Sequence, residues 1–207
     1  MAAVLTTLAC YPRLTSWSER TNSASFLCLL MLWSTFVLWS FVLGWHFKYT
    51  GQHPLAFKRQ PSLWGMATVS GLVAAILLRL ILDPQLRIIN PGDYPANWQS
   101  WLSNSLFNLA LDPLFLCFAP FAFFIRLAHR QTTALMLTIT LGLFILYLKL
   151  SSSPVPLAPW LLLALMGARI AGGFLFVYAY LKGGVWLVWW LVLLLQLRHL
   201  VGLPGIH

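Results

Sequence analysis

Long apolar runs, separated by short polar or Pro/Gly-rich stretches, dominate this chain of 207 residues. A helix needs about 20 mostly apolar residues to cross the hydrocarbon core of a bilayer. Six runs come near that length, at about residues 25–45, 63–82, 101–124, 133–150, 157–181 and 185–200. The pattern therefore predicts an all-α, polytopic transmembrane helical bundle of about six spans, which forms one membrane domain over residues 1–207.

The connections between the runs are short. Only Lys182-Gly183-Gly184 separates the last two runs, so these should form a tight helical hairpin. The longest connection, residues 83–100, is punctuated by Pro and Gly, and tryptophans near its end are expected to anchor it at the membrane interface. An even number of spans would place both termini on the same side.

The composition agrees with a chain whose main solvent is lipid. Hydrophobic residues make up 60% and charged residues 8% of the sequence, whereas an ordinary soluble domain carries about 25% charged residues. The formal charge of +9 would suggest nucleic acid in a soluble protein. Here the Lys and Arg residues lie between apolar runs, where they suit membrane anchoring and anionic lipid headgroups, so we expect no nucleic-acid partner.

The basic residues give a weak orientation signal. On a six-span map they divide equally, six on each side. Lys58-Arg59 and Arg126-Arg130 flank spans with no acid nearby, which favours a cytoplasmic position for those loops. Residues 1–13 lack a basic segment before their short apolar run, so they do not resemble a signal peptide.

Little in the sequence supports catalysis. Hydrolysis needs a nucleophile with its base, paired carboxylates, or a metal, and the chain has no HExxH and one acid at membrane depth. The histidines are predicted in loops or at span ends, and the cysteines show no metal-ligand spacing. We therefore expect no metal and no catalytic residue; bound lipids are expected, and a pigment held by an interfacial histidine stays an alternative. The histidines are His46, His53, His129, His199 and His207.

Asp112 and Arg169 are the most informative polar residues. A charge at the bilayer centre costs about 2.5 to 3.5 kcal/mol even on the lenient insertion scale. Counted along their helices, Asp112 lies roughly 16 Å from Trp101 and Arg169 roughly 18 Å from Leu157, so the two groups reach similar depth. We predict a structural ion pair between them. A substrate or proton pathway, or separate partners for each charge, are the alternatives.

The fifth run also carries small residues at four-residue spacing. Small side chains let neighbouring transmembrane helices approach closely, so this stripe predicts helix packing. Its members are Ala164, Gly167, Ala168, Ala171 and Gly172.

Two stretches resemble the CPBP family of membrane proteins, which includes CAAX proteases and bacteriocin-processing or immunity proteins. Phe118-Ala-Pro-Phe-Ala-Phe-Phe-Ile-Arg126 is similar to the family's Ala-Pro-x-x-Glu-Glu-x-x-Phe-Arg region, and residues 172–186 resemble its small-residue helix, Tyr and Gly-x-x-Trp turn. Phe121 and Ala122 stand where the family has its two glutamates, and the His and His/Asn motifs are absent. The resemblance therefore implies a CPBP-like core in the C-terminal half that has lost catalysis.

Three functions remain open. The first is a non-catalytic, structural or accessory subunit of a larger membrane protein complex, whose partners are other membrane subunits and lipids, in a prokaryotic inner or photosynthetic membrane. The second is a small transporter or channel that uses Asp112 and Arg169. The third is a CPBP-like intramembrane hydrolase with atypical residues.

Overall fold

The computed structural model describes residues 1–18, 24–58, 60–151 and 157–202, and no strand occurs among them. Helices make up 88% of the structure. The main helices are α1 (Ala2–Ser18), α2 (Ser25–Thr50), α3 (Pro61–Ile89), α4 (Trp98–Ala128), α5 (Gln131–Ser151) and α6 (Pro159–Leu197). The last five are long and apolar enough to cross a membrane. The predicted polytopic helical membrane bundle is confirmed.

The predicted fifth and sixth runs lie within α6, so five long apolar helices are present where six runs were predicted. This helix is broken at Gly184, which has a φ of 71° and a ψ of −163°. Leu195 and Gly172 border one cavity, although a straight helix would separate them by about 35 Å. The chain therefore turns back at Gly184, as the predicted hairpin requires. The second limb, residues 185–197, is only about 20 Å long, which is less than the ~30 Å hydrocarbon core.

A glycine is needed at this turn for two reasons. Its positive φ combined with an extended ψ is a conformation that residues with a Cβ avoid. A Cβ at Gly184 would also lie 2.6 Å from the carbonyl oxygen of Pro54. The amide of Val185 donates a hydrogen bond to that same oxygen at 2.9 Å, and the indole of Trp186 donates to the carbonyl of Leu55 at 3.0 Å. The 51–58 loop thus holds the turn in place.

Helix α1 was not predicted as an element. It packs against α2 and α4 and buries Ala3, Thr6, Cys10 and Leu14, which recur every three or four residues. Trp39 of α2 donates a hydrogen bond from its indole nitrogen to the hydroxyl of Thr6 at 3.0 Å. Because polar residues occupy part of the buried side, a search for uninterrupted apolar runs does not find this helix.

Helix α4 begins at a capping box, in which the side chain of Asn97 accepts a hydrogen bond from the amide of Ser100 and the side chain of Ser100 accepts one from the amide of Asn97. Its first α-helical part ends at Ala110, and after Pro113 it continues through a π-helical turn, Leu114–Phe118. A π-helical turn contains one residue more than an α-helical turn, so the side chains after it are rotated about the helix axis relative to those before it. Leu114, Phe118 and Phe121 consequently face the core, as their full burial shows.

Contacts between distant segments define two ends of the bundle. At the Gly184 end, the 51–58 loop contacts the α6 turn, and Tyr49 contacts His129, with ring centroids 5.4 Å apart. At the Asp83 end, side-chain contacts bring together four segments, which are the C-terminal end of α3, residues 90–97, the C-terminal end of α5 and residues 196–199. Helices α3, α4 and α5 and the first limb of α6 run between these ends, and the shorter second limb of α6 joins the Gly184 turn to the Asp83 network.

Candidate functional site

A buried polar network ties the last limb of α6 to α3 at the Asp83 end. The carboxylate of Asp83 accepts hydrogen bonds from the Arg198 guanidinium, with Nε to Oδ2 at 3.2 Å, and from the Tyr94 hydroxyl at 3.0 Å. Arg79 donates to the carbonyl oxygen of Arg198 at 2.7 Å. Only 8% of the Asp83 side chain and 18% of the Arg198 side chain are exposed. This pair is held far from bulk water, where an ion pair is stronger than at an open surface.

A cavity of about 440 Å³ lies against this network. Tyr94, Arg198 and His199 border it at the bundle end, and Asp112 borders it at greater depth. The apolar wall is formed by the leucines Leu86, Leu146, Leu150 and Leu165 together with Phe107. Polar groups at both levels joined by an apolar wall are typical of a binding cavity for a small organic molecule.

Three of the four acidic residues of the chain surround this cavity. Asp93 and Asp112 border it, and Asp83 holds its Arg198 and Tyr94 side chains. The fourth acid, Glu19, lies outside the described residues. Asp93 forms an exposed ion pair with Lys149 at the rim, at 3.0 Å. The cavity is therefore the place where the acidic residues of a strongly basic chain gather.

Burial and the neighbouring charges shift the titration of two groups in this network. Burial raises the pKa of the Tyr94 hydroxyl, and the charge and hydrogen bond of Asp83 raise it further. Burial lowers the pKa of His199 to about 4, and the positive charge of Arg198 lowers it in the same direction. Both groups are neutral at pH 7. His199 is 8% exposed, and its Nδ1 has no hydrogen-bond partner among the described residues.

The predicted Asp112–Arg169 ion pair is not formed. Within the described part of the chain, the two side chains are not in ion-pair contact within 4.0 Å, although they remain within electrostatic range of each other. Arg169 instead donates a hydrogen bond from Nε to the carbonyl oxygen of Gly142 at 3.3 Å. A Cβ at Gly142 would lie 2.9 Å from that nitrogen, so the glycine makes room for the guanidinium. Arg169 and Asp112 border different cavities.

The two glycines of the predicted small-residue stripe of α6 do not contact another helix within the described part of the chain. A Cβ added to Gly167 or Gly172 would meet no heavy atom within 4 Å, and Gly167 and Ala171 are exposed. Three members of the stripe, Ala168, Ala171 and Gly172, border an apolar cavity of about 330 Å³ that also contains Arg169. The close contact of the first limb of α6 with α5 is made by Gly173, whose added Cβ would lie 2.9 Å from Ile139.

The positions that correspond to the CPBP glutamates lie in an aromatic cluster. Phe121 and Ala122 are completely buried. Phe121 meets Tyr180 edge to face at 6.1 Å, and Tyr180 lies 4.4 Å from the ring of His46 and 4.7 Å from that of Phe118. His46, expected at an interface, is therefore a core residue with 1% of its surface exposed. Phenylalanine and alanine have no group able to take up a proton at these positions.

The described residues contain no group of three or more His, Cys, Asp or Glu side chains that could hold a metal ion. All three cysteines are free thiols, and Cys10 and Cys117 are buried. No protein-family model, curated protein or solved structure matches this chain. Membership of the CPBP family therefore stays a prediction, and the functional argument depends on the geometry of the chain itself.

Proposed function

We propose that this chain is a non-catalytic integral membrane subunit with a structural or accessory role in a larger membrane protein complex. We place the complex in a prokaryotic inner membrane or a photosynthetic membrane. The observation that carries the proposal is the open small-residue face of the first α6 limb, which is defined by Ala164, Gly167, Ala168, Ala171 and Gly172.

This face is shaped for a helix that the chain itself does not supply. Small residues at four-residue spacing allow two backbones to approach closely in lipid, where packing and hydrogen bonds drive helix association. Inside this chain nothing lies within 4 Å of a Cβ at Gly167 or Gly172. An arriving helix could therefore approach the exposed Gly167 and Ala171 closely.

Arg169 indicates the chemistry of the arriving helix. The guanidinium lies in the apolar cavity beside the open face, and its only hydrogen bond within the described part of the chain uses Nε. Charged groups at membrane depth normally pair with a group of opposite charge or with polar partners. A transmembrane helix of another protein with Asp, Glu, Asn or Gln at this depth would complete the site. A second copy of this chain fits less well, because a symmetric contact would bring two Arg169 side chains together.

The non-catalytic part of the proposal is supported by the aromatic cluster. Phe121 and Ala122 occupy the positions where the resemblance would require glutamates, and their burial leaves no space for a water molecule to be activated. A peptidase assay with a prenylated peptide should therefore give no turnover above that of a heat-denatured sample.

Photo-crosslinking from the open face tests the partner. A benzoylphenylalanine at position 171 should crosslink one stoichiometric membrane protein, whereas the same group at the exposed, lipid-facing position of Val73 should not. Gly167→Leu should abolish the crosslink and the co-purification in mild detergent. Gly65→Leu is the matched control, because a Cβ there also meets nothing within 4 Å. Recovery of the chain alone or only as a homo-oligomer, or an unchanged crosslink in Gly167→Leu, would contradict the proposal.

An absorption spectrum of the purified complex decides whether a pigment is bound.

A further inference from the structure

The C-terminal ends of α2 and α4 pack side by side at the Gly184 end and carry aromatic rings that lead to a cation. The rings of Phe41, Trp45 and Phe123 pack with centroids 4.3 to 6.3 Å apart, and all three residues are at least partly exposed. The guanidinium carbon of Arg126 lies 4.3 Å from the centroid of the Trp45 ring, and this cation–π contact positions the charge. Phe123 lies one turn before Arg126 on α4, so the rings lie on the side of the span and the cation lies towards the helix ends.

Two further cations extend this surface towards the end of the bundle. Lys48 lies one turn after Trp45 on α2, and Arg130 follows the C-terminal end of α4. Both residues are exposed. The rings of Tyr49 and His129 hold the two helix ends together, with centroids 5.4 Å apart. We refer to these aromatic and basic residues as the Arg126 surface; its members are Phe41, Trp45, Lys48, Phe123, Arg126 and Arg130.

The cations of the Arg126 surface have no acidic partner in the described part of the chain. Both ion pairs found there lie at the Asp83 end, and Asp112 lies roughly 21 Å from Arg126 along α4. The C-terminal ends of α2 and α4 add about half a negative charge each, which leaves the three cations with a net charge of about +2. Because basic groups near a membrane surface attract anionic lipids, this surplus indicates an anionic ligand.

We propose that the Arg126 surface binds an anionic phospholipid of the phosphatidylglycerol type, whose phosphate lies between the three cations and whose acyl chain lies along the aromatic rings. A guanidinium binds a phosphate with two parallel hydrogen bonds. Phosphatidylcholine and phosphatidylethanolamine carry the same phosphate, but the surplus positive charge repels their cationic group. A soluble anion would use the cations and leave the apolar rings without a partner. The surface lies on different helices from the open face of α6 and does not depend on the proposed subunit role.

Native mass spectrometry of the full chain tests this site. The chain is released from nanodiscs that contain equal amounts of phosphatidylglycerol and phosphatidylcholine with identical acyl chains. The wild type should retain phosphatidylglycerol preferentially, and Lys48→Gln/Arg126→Gln should lower this preference on the order of 25-fold, because each cation contributes roughly fivefold. Lys58→Gln/Lys182→Gln is the matched control and should keep the preference. It removes two cations from the same end, but Lys58 is bonded to Gln52 in the 51–58 loop and Lys182 lies on α6.

Thermal unfolding and size-exclusion profiles verify that each variant is folded. The single variants Lys48→Gln and Arg126→Gln should each lose roughly fivefold in preference, so they test the site even if the double variant does not fold. The proposal is overturned if the wild type retains the two lipids equally, or if the variants of the Arg126 surface keep the preference. An equal loss in the control would show a general effect of surface charge and would also overturn it. So would a wild type without lipid preference that binds polyglutamate through Arg126, because the surface would then be a site for an acidic protein.

Discussion

Two ion pairs at the Asp83 end differ in their surroundings. Asp83–Arg198 is mostly buried, whereas the side chains of Lys149 and Asp93 are 64% and 49% exposed. An exposed pair contributes about 0 to 1 kcal/mol. Loss of one partner from a buried pair leaves an uncompensated charge and costs roughly 3 to 5 kcal/mol. The Asp83 network therefore fixes the C-terminal end of α6 against α3, while the exposed Lys149–Asp93 pair contributes little to stability.

His199 should make the stability of the protein depend on pH. Its pKa of about 4 in the folded chain lies below the ordinary value of 6.5, so the unfolded chain binds the proton more readily. The stabilising contribution is complete above pH 6.5 and is lost as the pH falls towards 4. We expect the melting temperature of the wild type in detergent to fall between pH 7 and pH 5 by more than that of His199→Gln.

The groups that face His199 have to be kept constant in that experiment. They are the aromatic ring of Tyr94 at 5.4 Å and the charges of Arg198, Asp83, Arg87 and Arg79. Both proteins retain these groups, so the difference between the two melting curves isolates the imidazole. Equal slopes for the two proteins would show that protonation of His199 is not linked to folding.

At the scale of whole helices, apolar run length predicts position well and boundaries less well. The first four predicted runs lie within α2 to α5, and the last two both fall on α6. Helices α3 and α4 extend several residues beyond their runs. The extensions contain the polar groups of the Asp83 end, which hydropathy alone excludes from a span. Helix α1 was missed because its buried side includes Thr6 and Cys10. Periodicity of three to four residues is the signal that would have found it.

The turn within α6 should depend on Gly184. Gly184→Ala forces a Cβ into a conformation that disfavours it and against the carbonyl oxygen of Pro54. We expect a loss of folded yield in detergent and a melting temperature lowered by several degrees, about 1 to 3 kcal/mol in stability. Gly65→Ala in α3 is the control, because its Cβ meets nothing within 4 Å. A Gly184→Ala protein as stable as the control would mean that the turn relaxes without cost.

For the whole molecule, sequence reasoning gave the helix on which a polar residue lies but not the direction of its side chain. Asp112 and Arg169 lie on two of the long apolar helices, as expected, but counting residues along those helices could not show which way each side chain points. The directions of the two side chains depend on local features, which are the π turn of α4 after Asp112 and the space at Gly142 beside Arg169. The Asp83 network was not predicted, because its members come from positions near 83, 94 and 198 and each alone resembles an ordinary interfacial residue. The closeness of Asp83, Asp93 and Asp112 in sequence was the available signal.

The last prediction concerns which loops share a membrane face. The contacts of the 51–58 loop with the α6 turn, and of Tyr49 with His129, put positions 53, 130 and 182 at the Gly184 end. Positions 99 and 151 lie at the Asp83 end. All five positions are exposed. We would introduce a single cysteine at each of them, in a chain whose native cysteines are replaced. A membrane-impermeant maleimide should then divide the five positions into two groups, each labelled from one side of the membrane.

Positions 53, 130 and 182 should be labelled only from the cytoplasmic face, because this end carries Lys58, Arg126 and Arg130 without an acidic residue among the described residues nearby. Positions 99 and 151 should be labelled only from the opposite face. The native cysteine at position 28 is the one most able to react with the reagent, since it is partly exposed while Cys10 and Cys117 are buried. If α6 crossed the membrane as one continuous helix, position 182 would lie within lipid and stay unlabelled. Labelling of positions 53 and 182 from opposite faces would likewise exclude the turn at Gly184.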